Sequence, residues 1–413
     1  MLHGHRILEQ SEILGAMTEV PGEVTRTYLT PMAKRAGEQL IAWMKEAGCD
    51  EAHWDTLGNV VGRYFGAAAD APILMTGSHM DSVVNAGKYD GLFGILSPIA
   101  CVRALTAQKK RLPFTFEIVA FGDEEGVRFG VTLIGSKAMA GRFDLAWWNK
   151  TDKDGVSLRD AVNTFGGDAQ AVDALKRDPE HYLGFIESHI EQGPVLLNEG
   201  LSVGVVTAIA GATRVRVNVK GLAGHAGTVP MPVRQDALVA SAEIIQEIEC
   251  FCAAGTDGLV GTVGKLDVVG GGAMNVIPGE VNFTIDVRAG VDATRLAAVD
   301  ALKKSATEIA ARRKVQLTWD AFFHLEAAKC DDAHQAQWAS AIAAQGAHVK
   351  AVRHLPSGAG HDAMSFAGVL PLSMLFVRCG NGGISHNPLE TMTAADADVA
   401  TNVMLHFLEH FQA

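Results

Sequence analysis

Apolar and polar residues follow two different periods in this chain, and the period changes with position. Residues 33–47 (AKRAGEQLIAWMKEA) carry apolar side chains at helical spacing and stop at Gly48, a residue suited to a helix C-cap. Asn59–Tyr64 and Pro72–Thr76 are apolar runs of strand length. Gly91–Leu105 is apolar around its whole circumference and reads as a buried helix, whereas Phe114–Phe121 (FTFEIVAF) alternates and is β-rich. This succession predicts an α/β layer with a mostly parallel sheet. In such sheets chemistry gathers at the carboxyl ends of the strands.

Residues 211–326 have another rhythm. Thr213–Val219, Gly261–Val269, Val281–Val287 and Val315–Asp320 are expected as strands, Ala237–Phe251 and Ala293–Arg312 as helices. Their order, β-α-β-β-α-β, matches a ferredoxin-like unit. From about residue 327 the chain returns to helix, strand and polar loop, ending in a helix from Ala394. The simplest architecture is a catalytic α/β domain of residues 1–210 and 327–413, with an α+β domain of residues 211–326 inserted. Asp152–Arg177 is polar and punctuated. A solvent-exposed helical excursion explains it, and a part in substrate choice stays open. Trp147 and Trp148, after Phe143, are expected to pack as an aromatic cluster.

Composition narrows the function. A net charge of −12 over 413 residues disfavours nucleic acid as a partner. The six cysteines include no C-x-x-C pair and read as reduced, mostly buried thiols. Cys250 and Cys252 beside Phe251 suggest a buried helix face. The N-terminal sequence MLHGHRILEQSEIL has no basic-then-apolar signal pattern, and no apolar stretch has the length of a membrane span. A soluble, cytoplasmic protein is expected.

Five polar clusters carry the chemistry. They are Gly77–Ser82 (GSHMDS), Tyr89–Gly91 (YDG), Asp123–Gly126 (DEEG), Glu187–Pro194 (ESHIEQGP) and Gly383–Pro388 (GISHNP). Each offers imidazole or carboxylate, the ligands that Zn²⁺ and Mn²⁺ accept. A two-metal hydrolase needs a carboxylate that bridges the ions, further ligands on each side, and a free carboxylate to take a proton from water. The adjacent Glu124 and Glu125 suit that division, because neighbouring side chains on an extended segment point apart. By the same geometry, Asp81 two residues after His79 is placed to bond the far nitrogen of that imidazole.

Taken together, GSHMDSV, GKYDGLFGI, DEEGVRFG, HIEQGP, GHAGTVPM, MNVIPG and SGAGHDAM resemble the M20 metallopeptidase superfamily, and within it the hydantoinase/carbamoylase group. That group includes N-carbamoyl-L-amino-acid hydrolases, β-ureidopropionases and allantoate amidohydrolases. The resemblance covers nearly the whole chain. It implies a phosphorylase/hydrolase-like catalytic domain and an inserted ferredoxin-like dimerisation domain. It also implies two divalent ions per subunit (Zn, or Mn, Co or Ni). His79 and His189 would hold one ion, Glu125 and His386 the other, and Asp90 would bridge them. Glu124 would be the general base and Asp81 the carboxylate behind His79. In the inserted domain, His225 looks like the residue that stabilises the oxyanion, and Asn275 and Arg288 like the pair that holds a substrate carboxylate. Gln192, Gly358 and His361 would line the substrate pocket. A homodimer that joins through the inserted domain follows from the same resemblance.

The implied reaction is hydrolysis of a small ureido acid such as an N-carbamoyl-L-amino acid, with allantoate as an alternative. An M20-type dipeptidase or aminoacylase would use the same ions. The short interval from His79 to Asp90, and His189 where many peptidases of the superfamily carry a carboxylate, argue against it. A metal-stabilised binding protein without turnover would have no need of Glu124 beside the water. His3, His5, His53, His181, His334, His348, His406 and His410 lack clustered partners and are expected to be ordinary structural or surface residues. Alone, Arg288 would be satisfied by a surface pairing with Asp286 or Glu280.

Overall fold

The computed structural model describes residues 3–346 and 351–413, so His348 lies outside the described residues. Along the chain run α1 (Gly4–Gly15), α2 (Pro31–Ala47), β1 (Glu51–Trp54), β2 (Val60–Tyr64), β3 (Ile73–His79), α3 (Leu92–Ala107), β4 (Thr115–Phe121), α4 (Ile134–Met139), α5 (Leu158–Phe165), β5 (Tyr182–Ile190), α6 (Val195–Glu199) and β6 (Val203–Ile209). Next come β7 (Gly211–Lys220), β8 (Gly224–His225), α7 (Ala237–Ala253), β9 (Val260–Val268), β10 (Val276–Ile277), β11 (Glu280–Ala289), α8 (Asp292–Arg313), β12 (Gln316–Leu325) and β13 (Ala328–Lys329). The last elements are α9 (Asp332–Ala343), β14 (His354–Ser357), β15 (Leu372–Val377) and α10 (Ala394–His410).

Two compact units emerge. One comprises Met1–Thr207, Cys330–Leu355 and Gly360–Ala413, the other Ala208–Lys329 and Pro356–Ala359. The return of Pro356–Ala359 to the second unit has no announcement in the sequence.

In the first unit a mixed sheet runs β1-β2-β4-β3-β5-β15-β6, and β6 continues to β13 and also pairs β14. Its central strands β4, β3, β5 and β15 are parallel. The β1–β2, β2–β4 and β15–β6 pairs are antiparallel, so the parallel character belongs to the middle of the sheet. Both faces of β4 are buried, which is why it reads as a near-continuous apolar run. Helix α3 is buried along almost its whole length against this sheet, together with α1, α2, α9 and α10. Each fully buried Leu, Ile or Phe there contributes about 1.5–3 kcal/mol.

Asp152–Arg177 is more than an exposed excursion. Leu158, Ala161, Val162, Ala169, Val172 and Leu175 are buried with Tyr28 and Trp148 in a satellite core. Trp147 and Trp148 pack on Phe143, as the aromatic run suggests.

In the second unit an antiparallel sheet has the order β12-β7-β11-β9. Helices α7 and α8 bury Ile244, Ile248, Leu302 and Ile309 against the inward residues of β7 and β11. The helix face that carries the paired cysteines is split: Cys252 is buried and Cys250 exposed. No helix among the described residues is long and apolar enough to cross a membrane.

Candidate metal centre

The polar clusters of the first unit converge at the carboxyl end of the parallel strands. His79 is the last residue of β3, His189 the last but one of β5, and Asp123–Glu125 follow β4. His386 comes from the loop after β15, in left-handed backbone conformation at φ 54°. Asp90 precedes α3, and Gly91 after it has φ 69°. A Cβ at Gly91 would lie 2.4 Å from the His79 carbonyl and 2.6 Å from its imidazole, so only glycine lets α3 start this close to the ring.

Ligand atoms of His79, Asp90 and His189 lie within 4.8 Å of one another, and so do those of Asp90, Glu125 and His386, with Asp90 common to both groups. Oδ1 of Asp90 is 3.3 Å from His79 Nε2 and 3.2 Å from His189 Nε2. Its Oδ2 is 3.3 Å from His386 Nε2, which is also 3.4 Å from Glu125 Oε1. His79, His189 and Asp90 are buried and His386 half-exposed, so the group opens to solvent on the His386 side. Two further groups, His79–Glu124–Glu125 and Glu187–His189–His361, also satisfy the 4.8 Å spacing.

Tautomers follow from the main chain. Nδ1 of His79 lies 3.0 Å from the carbonyl of Asp81, and Nδ1 of His189 lies 2.9 Å from the carbonyl of Ile190. A carbonyl only accepts, so each Nδ1 carries the hydrogen and each neutral ring turns an Nε2 lone pair toward Asp90. Gly91 N–H donates to His189 Nε2 at 3.2 Å, in agreement. Two lone pairs thus face one buried carboxylate oxygen that has no hydrogen-bond partner among the described residues. Without a positive charge between them that arrangement is repulsive, and these donors fit a divalent cation.

The charges say the same. Burial works against ionising Asp90, but the neighbouring imidazoles of His189, His386 and His79 hold it well below the usual carboxylate range. Burial works to lower the pKa of His79, yet Asp90, Glu124 and Asp81 together push it well above the ordinary histidine value. Glu124 is pushed well above the carboxylate range by burial and, against the pull of His79, by Glu125, Asp362 and Asp81. This is a crowd of carboxylates short of cations.

Asp81 departs from the expectation. The hydrogen-bond partner of His79 Nδ1 is the Asp81 main-chain carbonyl, and the Asp81 carboxylate stands 3.8 Å away. That carboxylate instead accepts the main-chain N–H groups of Glu124 (3.1 Å) and Glu125 (3.2 Å), and so sets the turn that carries both.

Gln192, in left-handed conformation at φ 56°, donates its amide to Asp90 Oδ2 at 2.8 Å. Its Oε1 is buried without a partner among the described residues. His361 is buried edge-on to His189, with ring centroids 4.5 Å apart.

The remaining candidates belong to the second unit. His225 is exposed on β8, paired with Val276. Its Nδ1 accepts the N–H of Gly227 at 3.0 Å, which leaves Nε2–H as an outward donor. Asn275 is exposed, and its carbonyl accepts Ala226 N–H at 2.9 Å, so these two candidates share one loop pair. Arg288 grips both oxygens of Asp286 (2.9 and 3.3 Å) and donates to the Gly358 carbonyl at 2.9 Å. The pairing with Asp286 is therefore real, and it still leaves two of the five guanidinium N–H groups unused.

Sequence reasoning places Glu187 in a polar cluster without giving it a role, and does not single out Glu390. Glu187, fully buried on β5, accepts Ser78 Oγ at 2.8 Å and Ala363 N–H at 3.1 Å. A charged residue inside an apolar strand, at the head of the ESHIEQGP cluster, is its signal. Glu390 has only its place four residues after His386 to mark it.

Comparison with known proteins gives the family. The peptidase family M20/M25/M40 matches residues 75–410. An allantoate deiminase from Glycine max is 40% identical over 96% of this chain and 87% of its own length. An N-carbamoyl-L-amino acid amidohydrolase from Geobacillus stearothermophilus is 37% identical over 98% of each chain. The crystal structure of a hydantoinase/carbamoylase-family amidase from Burkholderia multivorans superposes with a TM-score of 0.91 at 32% identity, over 98% of this chain and 97% of that one. The chain belongs to the peptidase family M20/M25/M40 and, within it, to the hydantoinase/carbamoylase amidohydrolases.

Proposed function

We propose that this protein hydrolyses the ureido C–N bond of a small N-carbamoyl carboxylic acid, such as an N-carbamoyl-L-amino acid. The observation that carries the reading is the convergence of His79 Nε2 and His189 Nε2 on Asp90 Oδ1, at 3.3 and 3.2 Å. His79 and His189 would hold one divalent ion and Glu125 and His386 a second, with Asp90 between them. The mixed imidazole and carboxylate set suits Zn²⁺ and also Mn²⁺, Co²⁺ or Ni²⁺. When bound, such ions supply Lewis acidity toward the ureido carbonyl and make water more acidic.

The protein's own groups supply the rest. Glu124 accepts a proton from the attacking water and returns it to the leaving nitrogen. Gln192 Oε1, buried and without a partner among the described residues, suits a ureido N–H donor, a group that a simple acyl substrate lacks on that side. His225 offers Nε2–H to the developing oxyanion. Arg288, steadied by Asp286 and Gly358, and Asn275 hold the substrate carboxylate, and His361 completes the pocket wall. The bond broken joins the carbamoyl carbon to the substrate nitrogen. The products are an amine and a carbamate, which decays to carbon dioxide and ammonia.

Allantoate is the second candidate, favoured by the 40% identity to the soybean deiminase. We also propose a homodimer that joins through the second unit. Strand β9 is a sheet edge there, with Val260 and Leu266 exposed. All six cysteines are free and five are buried, which suits the reducing cytoplasm. Ammonia release from Mn²⁺- or Zn²⁺-loaded protein, across allantoate, N-carbamoyl-β-alanine and N-carbamoyl-L- and D-amino acids with a dipeptide control, tests the reading. Release from one ureido acid supports it; cleavage of the dipeptide alone overturns it.

A further inference from the structure

Glu390 is almost wholly buried, yet the mechanism above gives it nothing to do. Its Oε1 accepts the main-chain N–H groups of Tyr89 (2.8 Å) and Asp90 (3.2 Å). Its Oε2 lies 2.7 Å from Ser385 Oγ, and that hydroxyl is 2.6 Å from Asp90 Oδ2. One carboxylate thus binds the backbone that presents Asp90 and the residue that precedes His386, two segments some three hundred residues apart in sequence. Glu390 in turn sits on a tight turn from Asn387, whose carbonyl accepts its N–H at 3.0 Å.

An independent feature reserves the space for it. A Cβ at Gly87 would fall 2.2 Å from the Glu390 carboxyl carbon and 2.3 Å from Oε1. The absence of a side chain at Gly87 lets the carboxylate lie flat under the Tyr89–Asp90 amides. Among the described residues no other side chain accepts the Tyr89 and Asp90 amides. Gln192 and Ser385 touch only its Oδ2, and they fix the rotation of the carboxylate but not the path of the chain behind it.

We propose that Glu390 is a positioning residue that fastens the Asp90 and His386 halves of the centre to each other, so that the Asp90–Glu125–His386 site keeps its spacing. This rests on the metal reading above. Ligands of that site come from three loops, and of these the His386 loop is the most exposed. Loss of the clamp falls chiefly on the ion held there, while the His79–His189 pair stays fixed by its own main-chain bonds.

The experiment measures metal content after dialysis and Zn²⁺ affinity by chelator competition in the wild type, Glu390→Ala, Glu390→Gln and Gly87→Ala. The wild type is expected to hold two ions. Glu390→Ala and Gly87→Ala are expected to bind one of them about 10–100-fold more weakly. Glu390→Gln keeps an acceptor for the two amides and a donor for Ser385, and is expected to rescue most of that affinity. Should Glu390→Ala fail to fold, the Gln and Gly87 variants carry the test. Two ions at wild-type affinity in both Glu390→Ala and Gly87→Ala, or in Gly87→Ala alone where Glu390→Ala does not fold, overturn the positioning role and leave the metal reading standing. A wild type that takes up no metal overturns both.

Discussion

Oδ1 of Asp81 accepts the main-chain N–H of Glu124 at 3.1 Å, while the His79 imidazole bonds the main-chain carbonyl of Asp81 and not its side chain. The Asp81 carboxylate therefore acts on the proposed base rather than on the histidine. Asp81→Asn would turn an amide NH₂ toward one of two main-chain N–H donors and open the Glu124–Glu125 turn. The expected outcome is a fall in kcat of about 10–100-fold with metal content unchanged. Had the carboxylate served His79, the same substitution would strip metal. Metal analysis beside steady-state kinetics therefore separates the two roles, and a metal-depleted variant would overturn this one.

Glu124→Gln removes the proposed proton acceptor without altering shape. A fall in kcat of about 10²–10⁴-fold is expected, with both ions retained. The substitution also removes one of several crowded carboxylates, whose proton affinity burial and its neighbours raise. Metal-free Glu124→Gln should therefore melt at a higher temperature than metal-free wild type. Differential scanning calorimetry of the two apo proteins checks this, and equal or lower stability would contradict the electrostatic account.

The limits of sequence legibility follow from range. Period and punctuation place β4, α3 and β11 within a residue or two, because each element is specified by its own side chains. The ligand clusters stand out for the same reason, being polar runs at the ends of apolar strands. Strand geometry, in which residues two apart share a face, predicts that the Asp81 side chain bonds His79. The strand ends at His79, so the rule stops applying one residue too early. At Arg288 the same rule works, since Asp286 lies inside β11 and does share its face. Glu390 could not be read at all. Its partners at Tyr89 and Asp90 are main-chain groups, which leave no trace in residue identity.

Arg288 combines a salt bridge with a free edge. Asp286 and the Gly358 carbonyl take three N–H groups and hold the guanidinium plane. Charge-assisted hydrogen bonds contribute about 1.5–3 kcal/mol, so Arg288→Ala should raise KM for a carboxylate-bearing substrate about 10–100-fold, with a smaller effect on kcat. Lysine cannot reproduce the fork and should recover little of the loss. Kinetics on the ureido acid and on its neutral carboxamide analogue give the contrast. An equal KM increase on both substrates would mean that Arg288 does not read the carboxylate.

His334 offers a test of stability away from the centre. It is buried against Phe407 and Phe411, near the start of α9. Burial lowers its pKa from the ordinary 6.5, with Asp331 opposing. The folded state therefore binds this proton less readily than the unfolded chain does. The stabilisation from keeping the ring neutral is complete above pH 6.5. It is lost as the pH falls below that value through the folded pKa. His334→Phe keeps an apolar ring in the slot and removes the titration. Urea midpoints between about pH 5 and 8 should fall less steeply on the acid side for the variant than for the wild type. Parallel acid limbs would show that His334 is charged at no cost to the fold, and that its surroundings admit water or a counter-ion.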